Sequence, residues 1–243
     1  MSNTLQFRLV TLANKARHRQ WHLDIDIDWT LPVRPNRWIP KHVVAATVSQ
    51  LYHGEIASAE MCRYLLDQLD GTETKAFLAL QIADEERHAA AYQRYLGLFG
   101  DRVPIETALQ RTLQAGYEAP GGNAGKLVAC HLLLESEALR VHEALAARVR
   151  CPLLDAINRR IGPDEARHVA FGSLMARDLV RDMEPATRRQ LSDWAAQTWH
   201  DCARALLDDL RNYGLLATLP FSQRLEKGWA RQARQLEDIG LPV

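Results

Sequence analysis

The sequence predicts an all-α fold, a four-helix bundle with additional N- and C-terminal helices. Apolar residues recur every ~3.6 positions along several long segments, as on the buried face of an amphipathic helix. Glycine and proline stand where these segments should end. Residues 21–40 alternate in the manner of a strand but contain three prolines, so we expect an irregular arm there.

The long helices are delimited by the apolar period and by their stop signals. The first ends at Asp70-Gly71, Thr72 caps the second, and Gly100 closes it. Pro163 lies inside the fourth helix and should kink it or start a new turn, because proline lacks a backbone N–H. The predicted helices cover about 41–69, 72–99, 126–148, 152–183, 186–212 and 222–238, and a shorter helical piece follows Pro104.

A length of 243 residues suits one large domain, residues 1–243. We expect residues 1–40 to form an N-terminal helix and the arm. Residues 41–183 would form the four-helix core, and residues 184–243 the C-terminal helices.

The composition argues against several classes of function. The 30 Lys and Arg residues balance the 30 Asp and Glu residues, so no basic excess favours nucleic acid or a membrane surface. The N-terminus lacks the apolar core of a secretion signal, and no apolar run approaches the ~20 residues of a membrane helix. The four cysteines form no Cys-x-x-Cys pair, as expected of reduced thiols in the cytoplasm.

The segment ADEERHAA, residues 83–90, places a carboxylate on an apolar helix face. Glu85 shares that face with Leu78, Ile82, Ala89 and Leu96. A buried carboxylate without a partner is strongly unfavourable or takes up a proton. The sequence must therefore supply something that compensates Glu85.

The same motif occurs twice, with an offset of 80 residues. DEERH at 84–88 corresponds to DEARH at 164–168. Each copy contains Glu-x-x-His, which puts a carboxylate and an imidazole on one side of a helix. Glu55 and Glu135 stand 30 residues before Glu85 and Glu165, each in the preceding predicted helix.

Four helices can direct these six side chains to one place. Four carboxylates and two neutral imidazoles are the ligand set of a dinuclear iron or manganese site. Two divalent cations would balance the four carboxylate charges, which explains how Glu85 can lie on an apolar face.

One position in this set has two candidates, Glu135 and Glu137. They lie ~200° apart around a regular helix. Glu135 shares its face with apolar residues and with His131 and His142, whereas Glu137 shares its face with Arg140 and other charged residues. Glu135 is therefore the better ligand.

The double D-E-x-R-H motif, with a glutamate on each preceding helix, resembles the ferritin-like di-iron carboxylate proteins. It is most similar to the oxygen-activating branch. That branch includes bacterial multicomponent monooxygenases, acyl-carrier desaturases, the ribonucleotide reductase small subunit and p-aminobenzoate N-oxygenase. The matching motifs lie between about residues 41 and 183.

The resemblance implies that Glu85 and Glu165 are placed to bridge two metal ions. It also implies that Asp84 orients His168 and that Asp164 orients His88, as hydrogen-bond acceptors outside the ligands. Arg87 and Arg167 would face away from the metals and tie this outer layer together. The implied metal ligands are Glu55, Glu85, His88, Glu135, Glu165 and His168.

Two features of the implied site stay open. The extra histidine ligand of the N-oxygenase corresponds to Ile161 here, so that site is not reproduced; His131 or His142 could add a ligand instead. Tyr92 follows His88 by four residues, at the position of the radical tyrosine in the reductase subunit. It is either redox-active or a core tyrosine with a satisfied hydroxyl.

The function implied is an O2-dependent di-iron oxygenase or oxidase that hydroxylates, N-oxygenates, desaturates or cleaves a small organic substrate. Two Fe ions are expected, with Mn or a mixed Mn/Fe pair as alternatives. An external electron donor and a monomer or homodimer are expected as well. Gly172 could leave room for substrate. The alternative function is a ferroxidase or iron-storage protein.

Overall fold

The computed structural model describes residues 3–100, 102–212 and 221–243, and the side chains of these residues outside 206–225. Within these ranges the chain is helical and no residue lies in a strand, which confirms the all-α class. The predicted segment between the last two helices, 213–220, lies outside the described residues, as do residues 1–2 and 101. None of the helices in the described ranges is long and apolar enough to span a membrane.

The helices follow the predicted order, and residues 21–40 form turns and irregular backbone, as expected. The shorter helical piece predicted after Pro104 is α4. The helices are α1 (Asn3–His18), α2 (Lys41–Gln68), α3 (Thr72–Phe99), α4 (Thr107–Tyr117), α5 (Asn123–Leu127), α6 (Ser136–Arg148), α7 (Pro152–Arg181), α8 (Pro185–Asn212) and α9 (Phe221–Asp238).

The described residues form two compact units. The first comprises Met1–Ile105 and Leu134–Phe171. In this unit α2 packs along α3, and α1 packs on α3. The buried residues of α1 recur at helical spacing: Leu5, Leu9, Ala13 and Ala16.

The second unit comprises Glu106–Leu133 and Gly172–Val243. Here α8 contacts both α4 and α9. Gln232 of α9, which is fully buried, donates a hydrogen bond to the Leu132 carbonyl at 2.7 Å. This bond satisfies a backbone acceptor inside the unit.

The third predicted helix is not one regular α-helix. α5 and α6 are separated by a π-helical segment, Val128–Glu135, in which hydrogen bonds join residues i and i+5 and each turn is wider. The angles assumed for a regular helix therefore do not apply before Glu135, which is the last residue of this segment.

One predicted helix signal was wrong, and a second is narrowed. Gly71, with φ 105°, is the N-cap of α3, and Thr72 is its first residue; glycine adopts positive φ without steric cost. At Pro163, α7 continues from Pro152 to Arg181 without a boundary, so of the two expected outcomes no new helix starts there, and the kink stays a prediction.

Candidate metal centre

The two copies of the repeated motif face each other inside the first unit. α3 contributes Glu85 and His88, and α7 contributes Glu165 and His168. Glu55 comes from α2 and Glu135 from the end of the π segment. None of the six residues is more than 5% exposed, so their charges must be compensated within the protein.

His88 lies among three carboxylates that come from three helices. Its Nδ1 atom is 3.1 Å from Glu165 Oε1 and 3.3 Å from Glu55 Oε2. The same atom is 3.4 Å from Glu85 Oε2. One nitrogen of this imidazole is therefore directed at the carboxylates.

His168 occupies the corresponding place on α7. Its Nδ1 atom is 3.1 Å from Glu85 Oε1 and 4.0 Å from Glu165 Oε1. Glu85 thus presents one carboxylate oxygen to each histidine, and its carboxylate lies between them.

The side chains form two groups that could each hold a metal ion. In each group, the possible ligand atoms lie within 4.8 Å of one another. The first group is Glu55, Glu85, His88 and Glu165; the second is Glu85, Glu135 and His168. Because Glu85 belongs to both, the arrangement suits two neighbouring ions that share one carboxylate.

The other nitrogen of each histidine faces an aspartate of the opposite motif. His88 Nε2 lies 3.1 Å from Asp164 Oδ2, and His168 Nε2 lies 3.2 Å from Asp84 Oδ2. An ionised carboxylate can only accept a hydrogen bond, so each Nε2 carries the proton. In the neutral imidazole, Nδ1 then directs its lone pair toward the carboxylate cluster, as metal ligation requires.

Two arginines enclose the aspartates. Arg87 pairs with Asp84 and lies 3.8 Å from Asp164; Arg167 pairs with Asp164 and lies 3.8 Å from Asp84. The two cations neutralise the two aspartates. They therefore leave the charge of the ligand cluster to be balanced by metal ions or protons.

Two residues that follow α1, which the sequence did not single out, complete this outer layer. Trp21 Nε1 donates to Asp164 Oδ2 at 2.7 Å, and Gln20 Nε2 donates to Asp84 Oδ1 at 3.0 Å. The Trp21 ring also stacks on His88, with 6.2 Å between ring centroids and 11° between planes. Both residues lie after α1, far from either motif, and no periodicity connects them to the site.

Gln81, another residue that the sequence reasoning missed, joins two of the carboxylates. Its Nε2 atom lies 2.7 Å from Glu135 Oε1 and 3.0 Å from Glu85 Oε1. Gln81 precedes Glu85 by four residues and therefore shares its helix face. A buried polar side chain on the same stripe was the signal that could have identified it.

The pKa values show how the cluster would be charged without metal ions. Burial, and then the neighbouring Glu165, raise the pKa of Glu55 well above its usual range. Burial also raises the pKa of Glu85, but His168 and His88 outweigh it and hold that pKa well below the usual range. The pKa of His88 is raised despite burial, chiefly by hydrogen bonds to Asp164 and Glu165. Without metal ions, protons on the histidines therefore provide the positive charge that metal ions would otherwise supply.

The donor set fits divalent iron or manganese, which bind carboxylate oxygen and imidazole nitrogen. Within the described residues, Glu85 Oε2, Glu165 Oε1 and His168 Nδ1 are buried and make no hydrogen bond of acceptable geometry. Such atoms are unfavourable in a protein interior unless something else satisfies them. A metal pair would do so.

Glu135 and Glu137 differ as the sequence indicated. Glu135 is buried and accepts a hydrogen bond from Gln81. The Glu137 side chain is 37% exposed and pairs with Arg140. Glu135, not Glu137, is therefore brought to the cluster.

Tyr92 is fully buried and its hydroxyl is satisfied. The hydroxyl donates to Asn158 Oδ1 at 3.1 Å and lies 2.7 Å from His142 Nε2. Burial, together with the charge on His88, lowers the pKa of His142 to about 3, so this imidazole is neutral. His142 Nε2 contacts the Tyr92 hydroxyl. His142 belongs to neither group of possible ligands described above.

Gly172 does not leave open space. A Cβ atom placed on Gly172 would lie 2.1 Å from the His131 Cβ. The glycine instead allows close approach of the α7 backbone to His131 within the second unit. The expectation that Gly172 leaves room for substrate was wrong.

This chain has the same fold as several solved structures, among them R2-like ligand-binding oxidases. A variant of such an oxidase, reconstituted aerobically with a Mn/Fe cofactor, gives a TM-score of 0.72 at 16% identity, covering 96% of this chain and 94% of that chain. The oxidase from Sulfolobus acidocaldarius gives 0.66 at 16% identity, covering 95% and 90%. Another variant, reconstituted anaerobically with Mn/Fe, gives 0.67 at 16% identity, covering 97% and 94%.

These likenesses confirm the ferritin-like helical fold that the motifs indicated. At this level of identity they establish the fold alone. No protein-family model matches the sequence, and neither does any curated protein.

Proposed function

We propose that this protein is a non-haem oxidoreductase that uses a pair of metal ions, either two Fe or Mn with Fe, to activate O2 and oxidise a small organic substrate. The observation that carries the proposal is the pair of buried ligand groups that share Glu85. The shared fold supports it, because two of the R2-like ligand-binding oxidases hold a Mn/Fe cofactor.

From the two groups of clustered side chains we assign residues to each ion. Glu55, Glu85, His88 and Glu165 would hold one ion, and Glu85, Glu135 and His168 the other. When bound, the metal pair supplies one-electron redox chemistry toward O2. The chain fixes the tautomer of both histidines through Asp84 and Asp164 and excludes bulk water by burying every ligand.

The full reduction of O2 to water consumes more electrons than a two-electron oxidation of the organic substrate releases, and this chain does not itself supply the difference. We therefore include an external electron donor in the proposal. Hydroxylation, N-oxygenation, desaturation and carbon–carbon cleavage are all compatible with the same ligand set. A substrate screen against the metal-loaded protein would select among them.

An experiment can decide whether Tyr92 has a packing role or a redox role. Its satisfied hydroxyl supports a packing role. Burial raises the pKa of Tyr92 well above its usual range, so the hydroxyl keeps its proton. If O2 exposure of the metal-loaded protein produces an EPR signal that Tyr92→Phe abolishes, the redox role is established instead.

The decisive test is anaerobic Fe(II) loading followed by exposure to O2. We expect about two irons per chain, detected by metal analysis and Mössbauer spectroscopy, and an absorbance change in stopped flow when O2 is added. Glu85→Ala and Glu165→Ala should prevent this loading. Glu86→Ala is the matched control, because Glu86 is exposed and pairs with Arg63 on the surface. Full loading of the Glu85 and Glu165 variants would contradict the proposal.

The same experiment separates an oxidase from an iron-storage protein. An oxidase stops taking up iron once its two positions are filled, and it behaves as a monomer or homodimer in light scattering. A storage protein continues to take up iron in the presence of O2 and assembles into a large closed shell. The second outcome would replace the proposed function by the alternative.

A further inference from the structure

Gln81 lies in the candidate metal centre although its side chain is a neutral amide. Its Nε2 atom is within hydrogen-bond distance of both Glu135 Oε1 and Glu85 Oε1. An amide nitrogen carries two hydrogens, so it can donate one to each carboxylate. Gln81 is 1% exposed, so bulk water does not compete for these bonds.

The two carboxylates that Gln81 joins belong to the same ligand group. Together with His168 they form the second group described above, and they come from α3 and from the end of the π segment. Gln81 therefore connects two backbone elements at the point where an ion would bind. Because the amide is neutral, it holds the carboxylates without adding a positive charge that would repel a cation.

The repeat supplies no counterpart of Gln81. The offset of 80 residues takes position 81 to Ile161, which is fully buried in the apolar core of the first unit. Glu165 follows Ile161 by four residues, as Glu85 follows Gln81, but no amide stands at that position on α7. The two Glu-x-x-His motifs therefore have different surroundings, because an amide precedes Glu85 and an apolar side chain precedes Glu165.

We propose that Gln81 is a positioning residue that makes the two metal positions inequivalent. It holds Glu85 and Glu135 at chelating separation, and it thereby sets the affinity of the Glu85, Glu135 and His168 position relative to the other. The inference rests on the proposed function, because it presumes that two ions bind. Removing a hydrogen bond that a neighbouring residue makes to a metal ligand typically lowers the metal affinity by ~10–100-fold.

The test is a titration of the metal-free, full-length protein with Mn(II) under anaerobic conditions, followed by calorimetry and EPR. Mn(II) is the probe because it needs no O2 and distinguishes isolated ions from spin-coupled pairs. Gln81→Met removes the donor at nearly constant length. Ile161→Leu is the matched control, since it changes the equivalent position of the other motif without changing polarity.

We expect wild type and Ile161→Leu to bind two ions and to develop the spin-coupled signal as the second ion enters. In Gln81→Met the first ion should bind as in wild type, and the second should bind ~10–100-fold more weakly. The spectrum of isolated Mn(II) should then persist to much higher Mn(II) concentrations. The inference is overturned if both dissociation constants are unchanged, or if both are raised equally.

A second variant keeps the test decisive if Gln81→Met does not fold. Gln81→Glu replaces the donating nitrogen by an oxygen and should also change the ratio of the two dissociation constants, by at least ~10-fold. An unchanged ratio in this variant overturns the role of Gln81. Failure of the wild-type protein to bind a second Mn(II) would instead refute the dinuclear site itself.

Discussion

His88 and Asp164 belong to different copies of the repeated motif, yet His88 Nε2 lies 3.1 Å from Asp164 Oδ2. The reciprocal contact joins His168 to Asp84 at 3.2 Å. Each motif thus carries the aspartate that faces the histidine of the other. The two helices α3 and α7 are therefore coupled at the site, so a change in one motif should affect the ligand supplied by the other.

Asp164→Asn should weaken metal binding without removing any ligand. Asp164 accepts hydrogen bonds from His88, Trp21 and Arg167, whereas an asparagine has one acceptor oxygen and must turn its NH2 toward one of these donors. We expect the metal affinity to fall by ~10–100-fold, as is typical when an outer partner of a ligand histidine is changed.

Competition with a calibrated chelator measures this loss. Asp182→Asn is the control, because Asp182 is exposed and lies beside Arg181 on the surface. Equal affinities of the Asp164 and Asp182 variants would show that Asp164 does not orient His88.

Trp21→Phe should destabilise the metal-free protein. The substitution keeps an aromatic ring over His88 but removes the Nε1 donor that lies 2.7 Å from Asp164 Oδ2. A hydrogen bond to a charged group contributes ~1.5–3 kcal/mol, and urea unfolding should show a loss of that order. Trp38→Phe, at an exposed tryptophan, should unfold like wild type. If Trp21→Phe also unfolds like wild type, the hydrogen bond from Trp21 to Asp164 does not stabilise the protein.

Glu135→Gln and Glu137→Gln should differ although the residues are neighbours in sequence. Glu135 is buried beside Gln81, whereas Glu137 pairs with Arg140 at the surface. We expect Glu135→Gln to lose one of the two metal ions and Glu137→Gln to keep both, as measured by metal analysis after anaerobic loading. Loss of an ion from the Glu137 variant alone would reverse the assignment.

The cluster of six buried side chains could be predicted from the sequence because each candidate lies on an apolar helix face at a fixed offset from its counterpart. The choice of Glu135 over Glu137 agrees with their burial although it assumed a regular helix. The π segment itself could not be predicted, since nothing in VACHLLLE distinguishes i+5 from i+4 hydrogen bonding.

The arm residues show a different limit of the sequence. Gln20 and Trp21 reach the aspartates across 64 and 143 residues of chain, and such contacts depend on tertiary packing that periodicity does not encode. Gln81 was accessible in principle, because it precedes Glu85 by one helical turn. The role of the Gln81 amide depends on its hydrogen bond to Glu135, which only the folded structure reveals.

His142 should make the protein less stable as the pH falls. Burial, and then the charge on His88, lower the pKa of His142 to about 3 in the folded state, whereas a histidine in the unfolded chain has a pKa of ~6.5. The unfolded state therefore binds a proton in this interval that the folded state does not. The stability from neutral His142 is fully present above pH ~6.5 and decreases as the pH falls toward 3, by up to ~1.4 kcal/mol per pH unit.

Urea unfolding of wild type and His142→Gln at several pH values, with a metal chelator in every sample, isolates this contribution. Other buried groups titrate in both proteins, so the difference between them is the relevant quantity. We expect the stability advantage of wild type over the variant to shrink as the pH falls below ~6.5. A constant difference between pH 7 and pH 5 would contradict the shifted pKa of His142.

Two helical glycines should respond to alanine with opposite signs. A Cβ atom on Gly172 of α7 would lie 2.1 Å from the His131 Cβ and 2.4 Å from its Cγ, so the helix or His131 must shift, and overpacking of this kind destabilises by ~1–3 kcal/mol or more. At Gly97 of α3 a Cβ would meet nothing within 4 Å among the described residues beyond its chain neighbours and its own helix backbone, and replacing a helical glycine by alanine stabilises by ~0.5–1 kcal/mol. Thermal unfolding of the two variants measures both effects. A rise in the melting temperature of Gly172→Ala would show that the close approach to His131 is not a constraint of the fold. A fall for Gly172→Ala together with a rise for Gly97→Ala would identify that approach as the reason for glycine at position 172.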